Sequence, residues 1–295
     1  MSKVGFIGVG TMGCPMASNI VSKGNELNFY DPFVQAENKS KLENLGGKYC
    51  SSIKDLLDDR DFVITMLPNG NNVKDVCLGE EGLLKQEKKD YIHIDMSTIL
   101  PADSIAINKE FELQKIKMFD APVARLVNNA IDGTLLILVG GDNDKFGEIK
   151  PLLETMGSDV VYCGNSGSGS KMKIINNYMS IVSNIVTAET LSLVEKSGID
   201  LNLAINLLTT TAAGKGHLNV SYPIKVLKND VSPGFKNTLA LKDLKLALEQ
   251  GSLDGIDLST GKSALKIYEG AEKTQYKDLD WTSMFNYIKE INKIG

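Results

Sequence analysis

The sequence predicts an α/β fold, in which a doubly wound parallel sheet is followed by an all-helical part and a long helix joins the two. Three observations predict it. Short apolar runs alternate with helical runs over residues 1–163, residues 174–188 carry no charge and have helical length, and no convincing strand pattern follows. We expect two domains, 1–163 and 164–295, within the chain of 295 residues.

The first β–α–β unit is recognisable from its order of elements. Lys3–Ile7 forms a short apolar run, the glycine-rich segment 8–13 reads GxGxxG, and Met16–Lys23 has a helical pattern. Residues 28–30 form a second strand, and Asp31 follows it. Strand, tight turn, helix, strand and acid in this order are the fingerprint of a Rossmann-like dinucleotide-binding unit.

Each position of the glycine segment has a predicted role. Gly8 allows the tight turn, Gly10 lets the backbone approach a pyrophosphate, and Gly13 lets the helix pack close to the strand. The helix N-terminus offers N–H groups and a partial positive charge to the phosphates, so Thr11 and Met12 also belong to the cofactor site.

Asp31 bears on the choice of cofactor. Its carboxylate can accept hydrogen bonds from the ribose hydroxyls and would repel a 2′-phosphate, and no arginine follows in residues 32–35. NAD is therefore favoured over NADP. The alternative is that Asp31 is a solvated turn residue before Pro32.

The alternation continues through the first domain. Further strands are predicted at 62–67, 91–95, 117–122, 134–140 and 159–162, and helices at 53–57, from 69 and near 101. Because ligands bind at the carboxyl ends of parallel strands, the strand-end residues are assigned to the cofactor. They are Met66, Leu67, Pro68, Asn69 and Thr98. Ser97 is assigned to the substrate, although Ser97 or Thr98 could equally cap the next helix.

The second half has helical patterns only. They cover 202–209, 224–228, 239–250, 265–272 and 284–293. Residues 211–217 are expected to be a helix-terminating loop whose glycines serve either ligand approach or a plain C-cap. Lys242 either faces the cofactor or lies on a solvated helix face.

Apolar residues cover most of the circumference of the long helix, which predicts a buried helix. A polar stripe interrupts them, and it includes Lys173, Asn177, Ser180 and Asn184, with Asn176 beside it. Buried polar groups need partners, which water, a neighbouring helix or a ligand could supply.

Composition excludes several classes of protein. A net charge of −5 argues against nucleic-acid partners and a polybasic membrane surface. Four widely spaced cysteines and two histidines make a metal site improbable and favour reduced thiols. The sequence shows no signal segment and no apolar run long enough to span a membrane, so we expect a cytoplasmic protein.

Four ordered motifs resemble the β-hydroxyacid dehydrogenases, the group of 3-hydroxyisobutyrate and 6-phosphogluconate dehydrogenases. The motifs are residues 8–17 (GVGTMGCPMA), 95–98 (DMST), 120–123 (DAPV) and 173–177 (KIINN), and Lys-Asp at 242–243 is a fifth match. The resemblance extends over essentially the whole chain. It implies hydride transfer with NAD, with Lys173 as acid/base and Asn177 orienting the substrate, and an assembly of two or four identical chains.

The sequence departs from the family after DAPV. The family usually has Ser-Gly-Gly there, whereas this chain has Ala124, Arg125 and Leu126. A guanidinium can bind an oxyanion through forked hydrogen bonds, so Arg125 is predicted to anchor an anionic substrate. The alternative is that Arg125 forms a salt bridge.

Three segments resemble family members that reduce a three-carbon aldehyde bearing a sulfonate. They are the arginine after Pro-Val, residues 176–181 and residues 211–217. This resemblance implies that Arg125, Asn176 and Ser180 contact the sulfonate. A carboxylated semialdehyde remains an alternative substrate, and a non-catalytic NAD-binding sensor is a more distant one.

Overall fold

The computed structural model describes residues 1–87 and 90–294. Two compact units divide the chain within one long helix, the first covering residues 1–178 and the second beginning at Met179. The domain boundary expected after residue 163 stays a prediction. Among the described residues, no helix is long and apolar enough to cross a membrane.

One nine-stranded sheet forms the centre of the first unit, in the order β3-β2-β1-β4-β5-β6-β8-β7, with β9 beside β8. The strands are β1 (Lys3–Ile7), β2 (Glu26–Tyr30), β3 (Lys48–Tyr49), β4 (Phe62–Thr65), β5 (Ile92–Asp95), β6 (Lys117–Asp120), β7 (Val123–Ala124), β8 (Leu135–Gly140) and β9 (Gly157–Gly164). The run from β3 to β6 is parallel, which confirms the predicted fold class. The far edge differs, because β8 runs antiparallel to β6 and β7.

Both faces of the sheet are covered, as expected for a doubly wound fold. Neighbouring residues of one strand alternate between two apolar cores. Phe6 and Ile64 belong to one core, while Ile7 and Val63 belong to the other. A strand buried on both faces reads as a continuous apolar run, which is why the sequence identified these strands.

The described α-helices of the first unit are seven that accompany the strands and an eighth, α8, that extends beyond residue 178. They are α1 (Gly13–Ser22), α2 (Ala36–Asn44), α3 (Ile53–Leu56), α4 (Gly70–Leu78), α5 (Pro101–Leu113), α6 (Val127–Ile131), α7 (Asn143–Leu153) and α8 (Ser168–Lys196). The connections place the carboxyl ends of β1, β4 and β5 along one edge of the sheet.

The second unit is helical, as predicted. Its helices after α8 are α9 (Leu201–Leu208), α10 (Ala212–Lys215), α11 (Asn237–Asp254), α12 (Ser259–Glu272) and α13 (Met284–Ile291), with 3₁₀ turns at 222–224, 226–228, 275–278 and 281–283. The prediction of a loop at 211–217 is partly wrong, because residues 212–215 form the short helix α10. Gly216, with a φ of 84°, follows as the C-cap of α10.

The prediction of a buried α8 is wrong for the single chain. Ile175, Tyr178 and Ile181 are 60%, 71% and 64% exposed. The reason is length: 29 residues extend roughly 43 Å, and the helix is shared by two units rather than enclosed in one core.

Candidate active site

The glycine turn between β1 and α1 fits tightly against its neighbours. Gly8 has a φ of +92°, and a Cβ there would lie 2.4 Å from the carbonyl oxygen of Met66. A Cβ on Gly13 would lie 1.9 Å from the carbonyl oxygen of Gly8. Gly10 is different, since a Cβ there would meet nothing within 4 Å. The fold therefore requires glycine at positions 8 and 13, whereas position 10 faces open space.

Helix α1 presents a free N-terminus beside that space. Met12 is its N-cap residue, no side chain caps it, and its first turn contains no acid. A groove of about 870 Å³ runs from this turn past the ends of β2 and β4. Of the residues assigned to the cofactor, Gly8, Gly10, Thr11, Asp31, Met66, Leu67 and Pro68 line it. The uncapped helix and the open space at Gly10 fit a dinucleotide with its pyrophosphate on α1.

Asp31 follows β2, and its carboxylate accepts hydrogen bonds from the glycine turn and from the turn after β2. Its Oδ2 accepts from the Val9 backbone N–H at 3.0 Å, and its Oδ1 accepts from the Phe33 N–H at 2.8 Å. A carboxylate has about four lone-pair sites, so these bonds leave acceptor capacity for ribose hydroxyls.

Ser97 is held by a buried polar network at the ends of β4 and β5. Its Oγ accepts from the Leu67 backbone N–H at 2.9 Å, and its own N–H donates to Asp95 Oδ1 at 3.2 Å. Thr65 donates to the same oxygen at 2.8 Å and lies 3.0 Å from His93 Nε2. When the Thr65 hydroxyl donates to the ionised Asp95, its oxygen is free to accept from the His93 tautomer that carries its proton on Nε2. Burial raises the pKa of Asp95 to about 6 and lowers the pKa of His93 to about 3.

The suggestion that Ser97 or Thr98 caps the next helix is wrong. Helix α5 begins at Pro101, its N-cap residue is Leu100, and no side chain caps it. Proline lacks an N–H, and the Ser97 hydroxyl accepts from Leu67 instead. Thr98 is exposed and shares a cavity of about 360 Å³ with Asn69 and Ile174 of α8.

A buried carboxylate fastens α8 to the sheet. Asp120 ends β6 and is 2% exposed, and its two oxygens accept from the backbone N–H groups of Gly167 and Ser170, each at 2.7 Å. Gly169 lies so close that a Cβ there would be 2.2 Å from the carbonyl oxygen of Leu138. The first turn of α8 is therefore fixed against β6 and β8. Burial raises the pKa of Asp120, although these hydrogen bonds lower it in part.

Lys173 lies one turn beyond this attachment. It is half-buried, and burial lowers its pKa because it disfavours the charged ammonium. Asn177, also half-buried, follows four residues later on the same helix face. The neighbouring Asn176 is exposed and donates from Nδ2 to Asn177 Oδ1 at 3.4 Å.

Arg125 adopts a conformation that usually belongs to glycine. Its φ is +78°, in the left-handed region that favours glycine. The guanidinium donates to Asp159 Oδ2 at 2.6 Å, Ser158 Oγ at 2.8 Å and the Thr134 carbonyl at 2.6 Å. These contacts use three of its five N–H groups, so two remain for an oxyanion. Asp159 keeps a lowered pKa through its hydrogen bonds with Ser158 and Arg125.

The remaining assigned residues have other surroundings. Ser180 is exposed and belongs to the second unit, as does Lys242, which forms a 2.9 Å ion pair with Asp243. Asn69 caps α4 by accepting from the Asn72 N–H at 3.1 Å. The assigned roles of all these residues stay predictions.

Sequence reasoning missed several residues of the groove and its supports. Asp120 was noticed only as part of a motif, and its contact with α8 has no local signal. Three carboxylates of the groove, Asp75, Glu80 and Glu81, lie on or after α4, so only the folded chain brings them to Asp31. Phe33 did carry a signal, because an apolar aromatic residue in a turn is unusual.

All four cysteines are free thiols. Within 1–87 and 90–294, no group of three histidine, cysteine, aspartate or glutamate side chains could hold a metal ion.

Comparison with known proteins identifies NAD-binding domains in both halves of the chain. Residues 3–164 match the NAD binding domain of 6-phosphogluconate dehydrogenase, and residues 167–288 match the NAD-binding domain of NADP-dependent 3-hydroxyisobutyrate dehydrogenase. The chain is 37% identical to 3-sulfolactaldehyde reductase of Escherichia coli (strain K12) over 98% of its length and 96% of the relative. It is 36% identical to mitochondrial 3-hydroxyisobutyrate dehydrogenase of Mus musculus, over 97% and 87%.

Solved structures show the same architecture. Mycobacterium tuberculosis 3-hydroxyisobutyrate dehydrogenase with L-serine superposes with a TM-score of 0.67 at 29% identity, covering 98% of this chain and 99% of the other. An imine reductase variant from Myxococcus stipitatus in complex with NAD⁺ gives 0.86 at 13% identity, covering 98% and 100%, and shares the fold.

Fold, groove and relatives together define an oxidoreductase that uses NAD(P) and acts on a CH–OH group. The curated relatives match almost the whole chain, so they also identify its family. The chain belongs to the β-hydroxyacid dehydrogenase family.

Proposed function

We propose that this protein uses NADH to reduce 3-sulfolactaldehyde to 2,3-dihydroxypropane-1-sulfonate. The observation that carries the chemistry is Lys173, half-buried with a lowered pKa, one helical turn past the Asp120 attachment. The sulfonated substrate is supported by the arginine at position 125 and by the 37% identity to a 3-sulfolactaldehyde reductase.

When bound, NADH supplies the hydride that the aldehyde carbon receives. The Lys173 ammonium donates a hydrogen bond to the carbonyl oxygen and then its proton, and in the reverse direction the neutral amine accepts it. Burial favours the neutral amine, so the proton passes more readily than from an exposed lysine. Asn177 orients the reacting carbon, and Ser97 contacts the substrate.

Arg125, Asn176 and Ser180 are proposed to hold the anionic tail. The Asp159 carboxylate offsets part of the Arg125 charge. Removing that carboxylate in Asp159→Asn should therefore tighten binding of an anionic substrate, whereas Arg125→Ala should raise its KM at least tenfold. An unchanged KM in Arg125→Ala for every anionic aldehyde would reject the anchor.

A carboxylated semialdehyde is the second candidate. It is favoured by relatives that are 3-hydroxyisobutyrate dehydrogenases at 36% identity, and a guanidinium binds carboxylate as readily as sulfonate. NADH oxidation with 3-sulfolactaldehyde and with succinic, tartronate and methylmalonate semialdehydes separates the two. A clearly higher kcat/KM for a carboxylate would replace the sulfonated substrate.

The groove supports NAD as the physiological cofactor. Four carboxylates line it, from Asp31, Asp75, Glu80 and Glu81, and its described lining contains no lysine or arginine. A 2′-phosphate would meet these like charges, and the described part of the lining supplies no cation to compensate them. A kcat/KM for NADPH equal to that for NADH would contradict this choice.

We also propose that the protein works in the cytoplasm as a homodimer or homotetramer. Burying the exposed apolar side chains of α8 against a second copy would remove them from water. Light scattering measures the assembly, and a monomer at micromolar concentration would reject it.

A further inference from the structure

Phe33 is an exposed aromatic side chain at the rim of the cofactor groove. Its exposure is 86%, and among the described large apolar residues only the terminal Met1 is more exposed. An exposed phenylalanine ring lacks the favourable free energy of burial, so Phe33 does not stabilise the fold through its ring.

The backbone holds Phe33 in place although its ring is free. Its N–H donates to Asp31 Oδ1, and the next N–H, of Val34, donates to the Asp31 carbonyl at 3.3 Å. Pro32 restricts the same turn. The other oxygen of Asp31 accepts from Val9, so the turn is tied to the glycine segment.

Gly10, Asp31 and Phe33 line the same groove. Gly10 faces open space that can take the pyrophosphate, and Asp31 is proposed to hold the adenosine ribose. The backbone N–H of Phe33 donates to Asp31, so Phe33 is next to the residue proposed for the ribose. The adenine base is attached to that same ribose, so it must lie near Asp31. Val76 and Gly79 also line the groove, and they add apolar and small surface to it.

We propose that Phe33 is the platform on which the adenine ring of the cofactor stacks. Stacking covers the exposed ring with a flat base and needs no rearrangement of the turn. The proposal rests on the placement of the ribose at Asp31, and it does not depend on which aldehyde the enzyme reduces.

The test compares ligands with and without adenine on the full chain. Dissociation constants are measured for NADH, ADP-ribose and reduced nicotinamide mononucleotide with Phe33→Ala and Phe33→Trp. We expect Phe33→Ala to weaken NADH and ADP-ribose by about tenfold or more and to leave the mononucleotide unchanged, since base stacking contributes that much. Phe33→Trp should retain adenine affinity.

Leu113→Ala is the matched control, because Leu113 is also highly exposed and lies at the end of α5, outside the groove lining. It should bind all three ligands like the unaltered chain. Equal losses for all three ligands in Phe33→Ala would indicate general damage and overturn the proposal. Unchanged NADH affinity, with or without a changed oligomeric state, would overturn it too.

Discussion

The Asp95→Asn substitution should change how stability depends on pH. Asp95 is fully buried, and burial raises its pKa to about 6 from the ordinary 3.8. Between these values the folded protein keeps a proton that the unfolded chain has lost. The free energy of unfolding therefore falls as pH rises from about 4 through about 6. At about 1.4 kcal/mol per pKa unit, the loss is about 3 kcal/mol.

Asparagine has no such proton to lose. The free energy of unfolding of Asp95→Asn, minus that of the unaltered chain, should therefore rise by about 3 kcal/mol between pH 4 and pH 7. Urea unfolding at pH 4, 5, 6 and 7 measures it. His93 titrates in the opposite sense, because its pKa is lowered, but it is present in both proteins and its contribution largely cancels in the difference.

A constant difference for Asp95→Asn would refute the reasoning, since it would mean that Asp95 titrates alike in the folded and unfolded chains.

Three further predictions concern the turn, the α8 attachment and the proton donor. Gly13→Ala should lower the free energy of unfolding by about 1–3 kcal/mol in urea titrations because its Cβ collides with backbone, whereas Gly10→Ala should leave stability unchanged and weaken NADH binding in a fluorescence titration. In Asp120→Asn, an amide N–H of the side chain faces a backbone N–H and one hydrogen bond to α8 is lost. The free energy of unfolding should fall by about 1–3 kcal/mol, and kcat should fall by a larger factor than the KM for NADH changes. Lys173→Ala should lower kcat by about 10²–10⁴, and the reduction rate of the unaltered enzyme should fall as pH rises through the lowered pKa of Lys173; near-normal turnover with intact NADH binding would remove its role.

The sequence predicted what depends on local pattern. Strands β1, β2, β4, β5 and β6 were recognisable because burial on both faces leaves apolar runs, and the glycine turn because it needs residues without a Cβ. The two-residue strand β3 was missed, because Lys48–Tyr49 is too short to leave such a run. Strand β8 was predicted at 134–140, but its antiparallel direction was not, since pairing direction leaves no mark in a short apolar strand. The burial of α8 was also not predictable from its sequence pattern. Periodicity shows that a helix has an apolar surface, but it does not show whether other residues of the same chain pack against that surface.

The candidate site was likewise predictable only where its residues lie next to a recognisable turn or strand end. Residues adjacent in sequence to the turn or to a strand end, such as Asp31 and Leu67, were assigned from position alone. The contacts of Arg125 with Asp159 and of Asp120 with Ser170 join residues more than thirty positions apart, and no pattern along the chain encodes them.

The attachment of α8 places the proposed proton donor in the unit that contains the sheet. Lys173 and Asn177 belong to the same compact unit as the groove, while Ser180, less than one turn later, belongs to the next. Asp120 anchors the proposed proton donor to the sheet that carries the cofactor groove. The spacing between the proposed proton donor and the sheet is therefore set within residues 1–178, and substitutions beyond residue 178 leave the residues that set it unchanged.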